Sequence, residues 1–277
     1  MSWELQALGA VSSVLLMLPL AMKWKLPKLP AFAGITAATL AAALPFFWIY
    51  PLCQTNRGLA VAVLGQMALA LTLALSLMMV RFWRDPERVP PEKNGVVLSA
   101  ADGKVLYTRN VDEGSTPLVT KGGRDYLLRE LTGTSLLASA AYVIGVEMTF
   151  LDVHVTRCPI AGQVKSQKRI EGKFISLRTA EAPFVNERLT TIIENASLTV
   201  AVAQVASRLV RRVESYLRVG ETVSAGQRLG MIRFGSLVAV VLPKRKDVKI
   251  EVKAGDRVKA GVSVLARYEV NDGRREH

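Results

Sequence analysis

Apolar residues dominate the first 80 positions in three runs, at about 5–22, 31–50 and 58–80, separated by short polar breaks. Each is close to the roughly 20 residues a helix needs to span the hydrocarbon core of a bilayer, so the pattern predicts three transmembrane helices. The first run reads as an anchor rather than a signal peptide, since its amino end carries Glu4 and no Lys or Arg, and no small-residue cleavage site precedes Lys23. Residues 81–95, RFWRDPERVPPEKNG, then set three prolines among alternating charges, which stops the third helix and stiffens an extended linker. From 96 to 277 the pattern is one of short β-rich runs, such as Val96–Leu98, Val105–Tyr107, Tyr142–Val146, Leu198–Val205 and Leu237–Leu242, punctuated by glycine and asparagine. Helical periodicity is weak there, and Glu181–Arg188 reads as a short helix or a loop.

One internal repeat is visible. Gly220-Glu-Thr-Val-Ser-Ala-Gly226 matches Gly255-Asp-Arg-Val-Lys-Ala-Gly261, 35 positions later. Paired glycines supply the positive φ of tight turns and the central valine fills a core, so the repeat predicts two equivalent hairpins. The expected fold is a mainly β soluble domain, a barrel or sandwich with a duplicated hairpin motif, preceded by three transmembrane α-helices. The same hairpin pattern is typical of biotinyl-like and lipoyl-like domains, but these present a lysine at the turn, for which there is no clear match here.

Charge sharpens the division. The chain has 277 residues, a net charge of +13 and 50% apolar residues, yet residues 1–80 hold only Glu4 against Lys23, Lys25, Lys28 and Arg57. The remainder holds 32 bases and 22 acids, a net of +10. Lys23, Lys25 and Lys28 lie between the first two helices, and Arg81, Arg84 and Arg88 follow the third, so both basic segments belong on the cytoplasmic side. The amino terminus then faces outward, and the soluble domain is cytoplasmic and drawn to anionic lipid. Nucleic acid is not an expected partner, because the bases are scattered and no aromatic-rich binding signature accompanies them. Cys53 and Cys158 fall on opposite sides of this membrane and cannot pair, which fits a reduced compartment. No metal site is expected.

The stretch Arg233-Phe-Gly-Ser-Leu-Val-Ala-Val-Val-Leu242 resembles a buried strand with Gly235 and Ser236 set into its leading end. Taken alone, Gly235 is a bulge or close approach and Ser236 a solvent-facing hydroxyl. The wider chain is similar to the short, bacterial-type phosphatidylserine decarboxylases, which are membrane-bound and pyruvoyl-dependent. The resemblance rests on Arg84-Asp-Pro-Glu-Arg88, Ala101-Asp-Gly-Lys-Val105, and Val153-His-Val155 with Arg157 and Pro159. It continues through Gly172-Lys-Phe174, Asn186-Glu-Arg188, Gln204 with Arg211-Arg212, and Gly230-Met-Ile-Arg-Phe-Gly-Ser236.

The resemblance implies a proenzyme that cuts itself between Gly235 and Ser236, giving a β chain of 1–235 and an α chain of 236–277. The Ser236 hydroxyl would attack the Gly235 carbonyl in an N-to-O acyl shift, in a strained geometry that glycine permits. β-Elimination would then leave a dehydroalanine that hydrolyses to a pyruvoyl cap, the covalent cofactor. Its ketone would form a Schiff base with the serine head group and take up the electrons released with carbon dioxide, yielding phosphatidylethanolamine.

The same resemblance names the candidate residues. His154, whose default reading is a satisfied core histidine, becomes the general base or acid. Asp102, otherwise an ordinary Asp-Gly turn residue, becomes the orienter of that imidazole. Arg157, Lys173, Arg188, Arg211 and Arg212 are the candidates for gripping the head group's phosphate and carboxylate. Three departures from the family pattern stand out. Arg157 occupies the place where longer members carry a second histidine, which leaves His154 as the imidazole for either task. Ala100 replaces a common proline, and Leu237 follows the serine where a polar residue is usual. Two alternatives remain open: the same reaction on an ether-linked, archaeal-type serine phospholipid, and a non-catalytic, membrane-tethered, biotinyl-like adaptor. The expected partners are phospholipid, the membrane and the two chains of one precursor. A homo-oligomer is compatible with the sequence.

Overall fold

The structure, a computed structural model, describes residues 2–24, 26–112, 119–121, 124–126, 128–133, 140–173, 175, 179, 181–207, 213–232 and 236–270. Three long helices open the chain: α1 (Ser2–Lys23), α2 (Lys28–Ile49) and α3 (Asn56–Trp83). All three are long and apolar enough to cross a membrane. They extend a few residues past the apolar runs for local reasons. Lys23 and Lys28 can lie at helix ends because their stems are apolar and their ammonium groups reach toward the interface. Thr55 caps α3, its Oγ1 accepting from the Gly58 N–H at 3.1 Å. Between the helices, the Tyr50 hydroxyl donates to Gln66 Oε1 at 2.7 Å, a buried polar contact of the kind that holds helices together where water is absent.

The chain separates into two compact units, with Asp85–Met148 and Asp152–His277 forming the second. In order, its described elements are β1 (Val96–Leu98), β2 (Gly103–Val111), β3 (Val119–Lys121), β4 (Arg124–Tyr126), α4 (Leu128–Thr132), β5 (Ala141–Met148), β6 (Val155–Arg157) and β7 (Gly162–Ile170). There follow α5 (Ala182–Val185), β8 (Arg188–Glu194), β9 (Thr199–Val205), β10 (Val213–Ser215), β11 (Thr222–Val223), β12 (Arg228–Ile232), β13 (Ser236–Pro243), β14 (Lys249–Ile250), β15 (Arg257–Val258) and β16 (Val264–Arg267). Eight strands form one sheet in the order β11-β7-β8-β9-β13-β5-β2-β15, and two three-stranded sheets, β1-β16-β14 and β10-β12-β6, accompany it.

The apolar run behind Ser236 becomes β13, a central strand between β9 and β5. Both its faces are buried, which is why the run is unbroken rather than alternating. Val238, Val240 and Leu242 join the larger core cluster, while Ala239 and Val241 join the smaller one.

The repeat predicts two hairpins; the structure shows two equivalent turns instead, because the strands flanking each turn enter different sheets, β11 and β15 joining the eight-stranded sheet while β12 and β16 join the two smaller ones, and the backbone bonds of the turns match one for one. The amides of Gly220 and Gly255 donate to the carbonyls of Val164 and Val105, and those of Gly226 and Gly261 donate to the carbonyls of Cys158 and Ser99. All four glycines take positive φ, between 71° and 103°. Matching partners imply that the segments opposite these turns are also equivalent: residues 95–105 correspond to 154–164. The reciprocal bonds Arg157 N–H to Ala100 carbonyl and Leu98 N–H to Pro159 carbonyl, at 2.9 and 2.8 Å, are related by the same exchange. The β unit is thus a pseudo-two-fold pair of halves.

Candidate active site

His154 stands immediately before β6. Its carbonyl accepts from the Ile232 amide at 3.2 Å, which pins it to the last residue of β12. Ser236 opens β13, where it pairs with Met148, the last residue of β5. The connection from β12 to β13 therefore leaves His154's own ladder and arrives, four residues later, at Ser236. Gly235 lies outside the described residues, as do Arg211 and Arg212, and of Ser236 the backbone position alone is described.

The imidazole is fully buried. Its Nδ1 lies 2.9 Å from the Asp152 carbonyl oxygen. A carbonyl can only accept, so Nδ1 carries the proton and the neutral ring keeps its lone pair on Nε2. Burial pushes the pKa down to about 4, against smaller upward pulls from the Asp152 backbone and from the charges of Asp152 and Asp102. The ring is therefore a neutral acceptor at ordinary pH.

Asp102 acts on this ring at a distance, through its charge. Its carboxylate is gripped by both terminal nitrogens of Arg88 and also accepts from the Ala260 amide at 2.8 Å. Arg88 in turn donates to the Ala260 carbonyl at 2.8 Å. The ring orientation is set by the Asp152 carbonyl instead. Two residues outside the sequence-derived set thus matter here, Arg88 and Asp152. The Arg-Asp-Pro-Glu-Arg motif held the first of them without revealing its partner.

Among the basic candidates, Arg157 is buried and committed to the protein. It donates to the Gly226 carbonyl at 3.0 Å, the Pro86 carbonyl at 2.9 Å and Asp85 Oδ1 at 3.1 Å. Asp85 and Glu87 also pair with Arg228, so residues 85–88 are strapped across both repeated turns. Arg188 is likewise spent on the carbonyls of Leu131, Asn186 and Glu130, and burial draws its pKa down. Asn186 is fully bonded to Ile175 and Ala206. The Asn-Glu-Arg motif is thus a structural knot as built. Lys173 differs: its backbone is tied to Val185 and Glu187, but its side chain is exposed.

Two further buried polar side chains complete the surroundings. Thr156 Oγ1 donates to the Gly230 carbonyl at 3.0 Å and accepts from Gln204 Nε2 at 2.9 Å. Among the described residues, no group of three or more His, Cys, Asp or Glu is placed to hold a metal. The set fits a prosthetic group made from the chain itself: a serine position at the head of a dry central strand, with a neutral imidazole held against the preceding strand.

The chain is similar to known proteins. The family model described as Phosphatidylserine decarboxylase matches residues 75–266. A protein of Methanocaldococcus jannaschii named "Putative archaetidylserine decarboxylase proenzyme" is 39% identical over 193 residues, covering 70% of this chain and 91% of its own. A phosphatidylserine decarboxylase proenzyme of Symbiobacterium thermophilum is 37% identical over 199 residues, covering 72% and 82%. Another, of Pelobacter propionicus, is 35% identical over 239 residues, covering 86% and 93%.

Proposed function

The chain belongs to the phosphatidylserine decarboxylase family, and from that premise we propose how its own residues carry the reaction. It is a carboxy-lyase, acting on phosphatidylserine, whose relatives are made as proenzymes. The proposed cut lies between Gly235 and Ser236, leaving a large chain of 1–235 and a small chain of 236–277. The observation that carries this reading is the buried, neutral His154, its Nδ1 proton fixed on the Asp152 carbonyl and its backbone bonded to Ile232, four residues before Ser236.

In the uncut chain, His154 Nε2 takes the proton of the Ser236 hydroxyl as Oγ bonds to the Gly235 carbonyl carbon, and the imidazolium gives that proton to the Ser236 nitrogen as the peptide C–N bond breaks, leaving an ester and a free amine. Loss of the Ser236 Hα then expels the Gly235 carboxylate, and hydrolysis of the resulting dehydroalanine releases ammonia. The pyruvoyl group so formed supplies a ketone able to take an amine and accept the electrons released with carbon dioxide. In the cut enzyme, His154 is the group placed to return a proton to the substrate carbon. Asp102, held rigidly by Arg88, supplies a fixed negative charge that favours the imidazolium forming during each transfer. Lys173, Arg211 and Arg212 remain the candidates for the phosphate. Arg157 and Arg188 hold the walls of the site.

The helices keep the enzyme in the bilayer. The basic residues Lys23, Lys25 and Lys28, with Arg81, Arg84 and Arg88, favour a cytoplasmic catalytic unit. A second reading of the substrate has one observation behind it, the archaetidylserine name of the M. jannaschii relative. The adaptor alternative gives way to the family's carboxy-lyase activity. Intact mass spectrometry of purified protein tests the proposal. Two fragments divided at Gly235, the smaller blocked at its amino end, are expected, and an uncut chain that nonetheless decarboxylates lipid would refute it. Parallel assays on diacyl and ether-linked serine lipids distinguish the two substrates.

A further inference from the structure

Gln204 is fully buried, and its Oε1 has no hydrogen-bond partner among the described residues. The orientation of its amide is fixed by its neighbour. Thr156 must give its hydroxyl proton to the Gly230 carbonyl, which cannot donate, so its oxygen accepts from the Gln204 NH2 and the amide oxygen is the atom left over. A lone buried carbonyl oxygen is costly unless something donates to it.

Register places this acceptor beside the reaction. Gln204 pairs with Val238, two residues after Ser236 on β13. Positions 236 and 238 alternate onto one face, about 7 Å apart along the strand. Gln204 is also bonded to Thr156, which follows His154 by two residues on the neighbouring sheet. The amide thus lies within about one strand repeat of both His154 and position 236.

We propose that Gln204 is the residue that positions the amine of the serine head group, its Oε1 accepting an N–H from that amine as it approaches the carbonyl carbon at position 236. This rests on the decarboxylase reading above. Condensation requires the amine unprotonated: its nitrogen bonds to the ketone carbon, and the ketone oxygen leaves as water with both amine protons. A neutral amide oxygen holds N–H while favouring ammonium far less than a carboxylate, which would stabilise the charged, unreactive form. Both Gln204 and His154 are sealed in the intact chain.

The test uses the full chain in detergent or nanodiscs, as wild type, Gln204→Leu, Gln204→Glu and Thr156→Val. Intact mass reports processing. Cyanoborohydride with phosphatidylserine vesicles, followed by the mass of the small fragment, reports amine capture independently of turnover. Gln204→Leu should process normally but trap about tenfold less amine at limiting lipid, the loss coming through KM, since one buried acceptor is removed. Gln204→Glu should retain capture at high pH and shift the acid limb of kcat/KM upward by about one pH unit. Thr156→Val, which unties the amide without removing it, should lose about threefold in the same direction. Wild-type trapping by processed Gln204→Leu overturns the proposal, as does a failure confined to processing, which would place the residue in self-cleavage instead. If Gln204→Leu does not fold, Thr156→Val and Gln204→Glu decide by the same criteria. A wild-type protein that neither splits nor traps amine sinks the decarboxylase reading itself.

Discussion

Acidification separates the proposed His154 chemistry from that of an ordinary histidine. With its pKa pushed down to about 4 by burial, the imidazole is about 90% neutral at pH 5, whereas a solvated histidine near 6.5 is about 3% neutral there. If Nε2 accepts the Ser236 proton, self-cleavage at pH 5 should proceed at about 0.9 of its pH 7 rate; a hydrated imidazole gives about 0.04. The two cases differ roughly twentyfold. The assay follows appearance of the fragment ending at Gly235, by intact mass, in chain made by cell-free synthesis into nanodiscs and shifted to each pH. Half-maximal cleavage near pH 6.5 would refute a buried neutral base. Stability must change in step. The folded pKa is lowered, so the unfolded chain binds the extra proton and the contribution is complete above about 6.5. It fades as pH falls toward 4, for a total of about 3 kcal/mol that a His154→Gln protein should lack.

Three other outcomes follow from the packing. Arg88→Met leaves the buried Asp102 carboxylate without its bidentate partner and should cost about 3 kcal/mol in thermal or denaturant unfolding; adding Asp102→Asn should recover much of the loss. Gly230→Ala puts a Cβ 2.1 Å from the Glu214 carbonyl oxygen, prising β10 from β12, and should cost about 2 kcal/mol and slow cleavage. An impermeant maleimide applied to intact cells should label each chain once, at the half-exposed Cys53; Cys158 is buried, with its thiol pushed up to about 12. No labelling from outside would reverse the proposed membrane orientation.

The membrane helices were legible because twenty consecutive apolar residues have few other uses, and the repeated turns because they demand glycine, although each joins two sheets and not the two strands of a hairpin. The segments facing those turns were not. Residues 95–105 and 154–164 share little beyond Val96 and Val155, Gly103 and Gly162, and Val105 and Val164, because what they keep in common is backbone hydrogen bonding. Sheet order was equally hidden, since β13 pairs with β5 across almost a hundred residues and nothing local records it. The candidate arginines show another limit. Sequence displays a guanidinium but not its acceptors, and Arg157 and Arg188 spend theirs on backbone carbonyls. A motif can mark a residue that builds the site as readily as one that touches substrate.

The duplicated scaffold also carries the polar residues of the proposed site unequally between its two halves. By the shared hydrogen bonds, His154 corresponds to Gly95, Thr156 to Val97, Arg157 to Leu98, and Asp102 to Ala161. The polar residues of the site therefore occupy positions whose counterparts are apolar or absent. Asp102 comes from one half while His154 and Thr156 come from the other, so neither half alone assembles the set. The charge relationship between Asp102 and His154 therefore exists only across the two halves, which exchange backbone hydrogen bonds between residues 98–100 and 157–159.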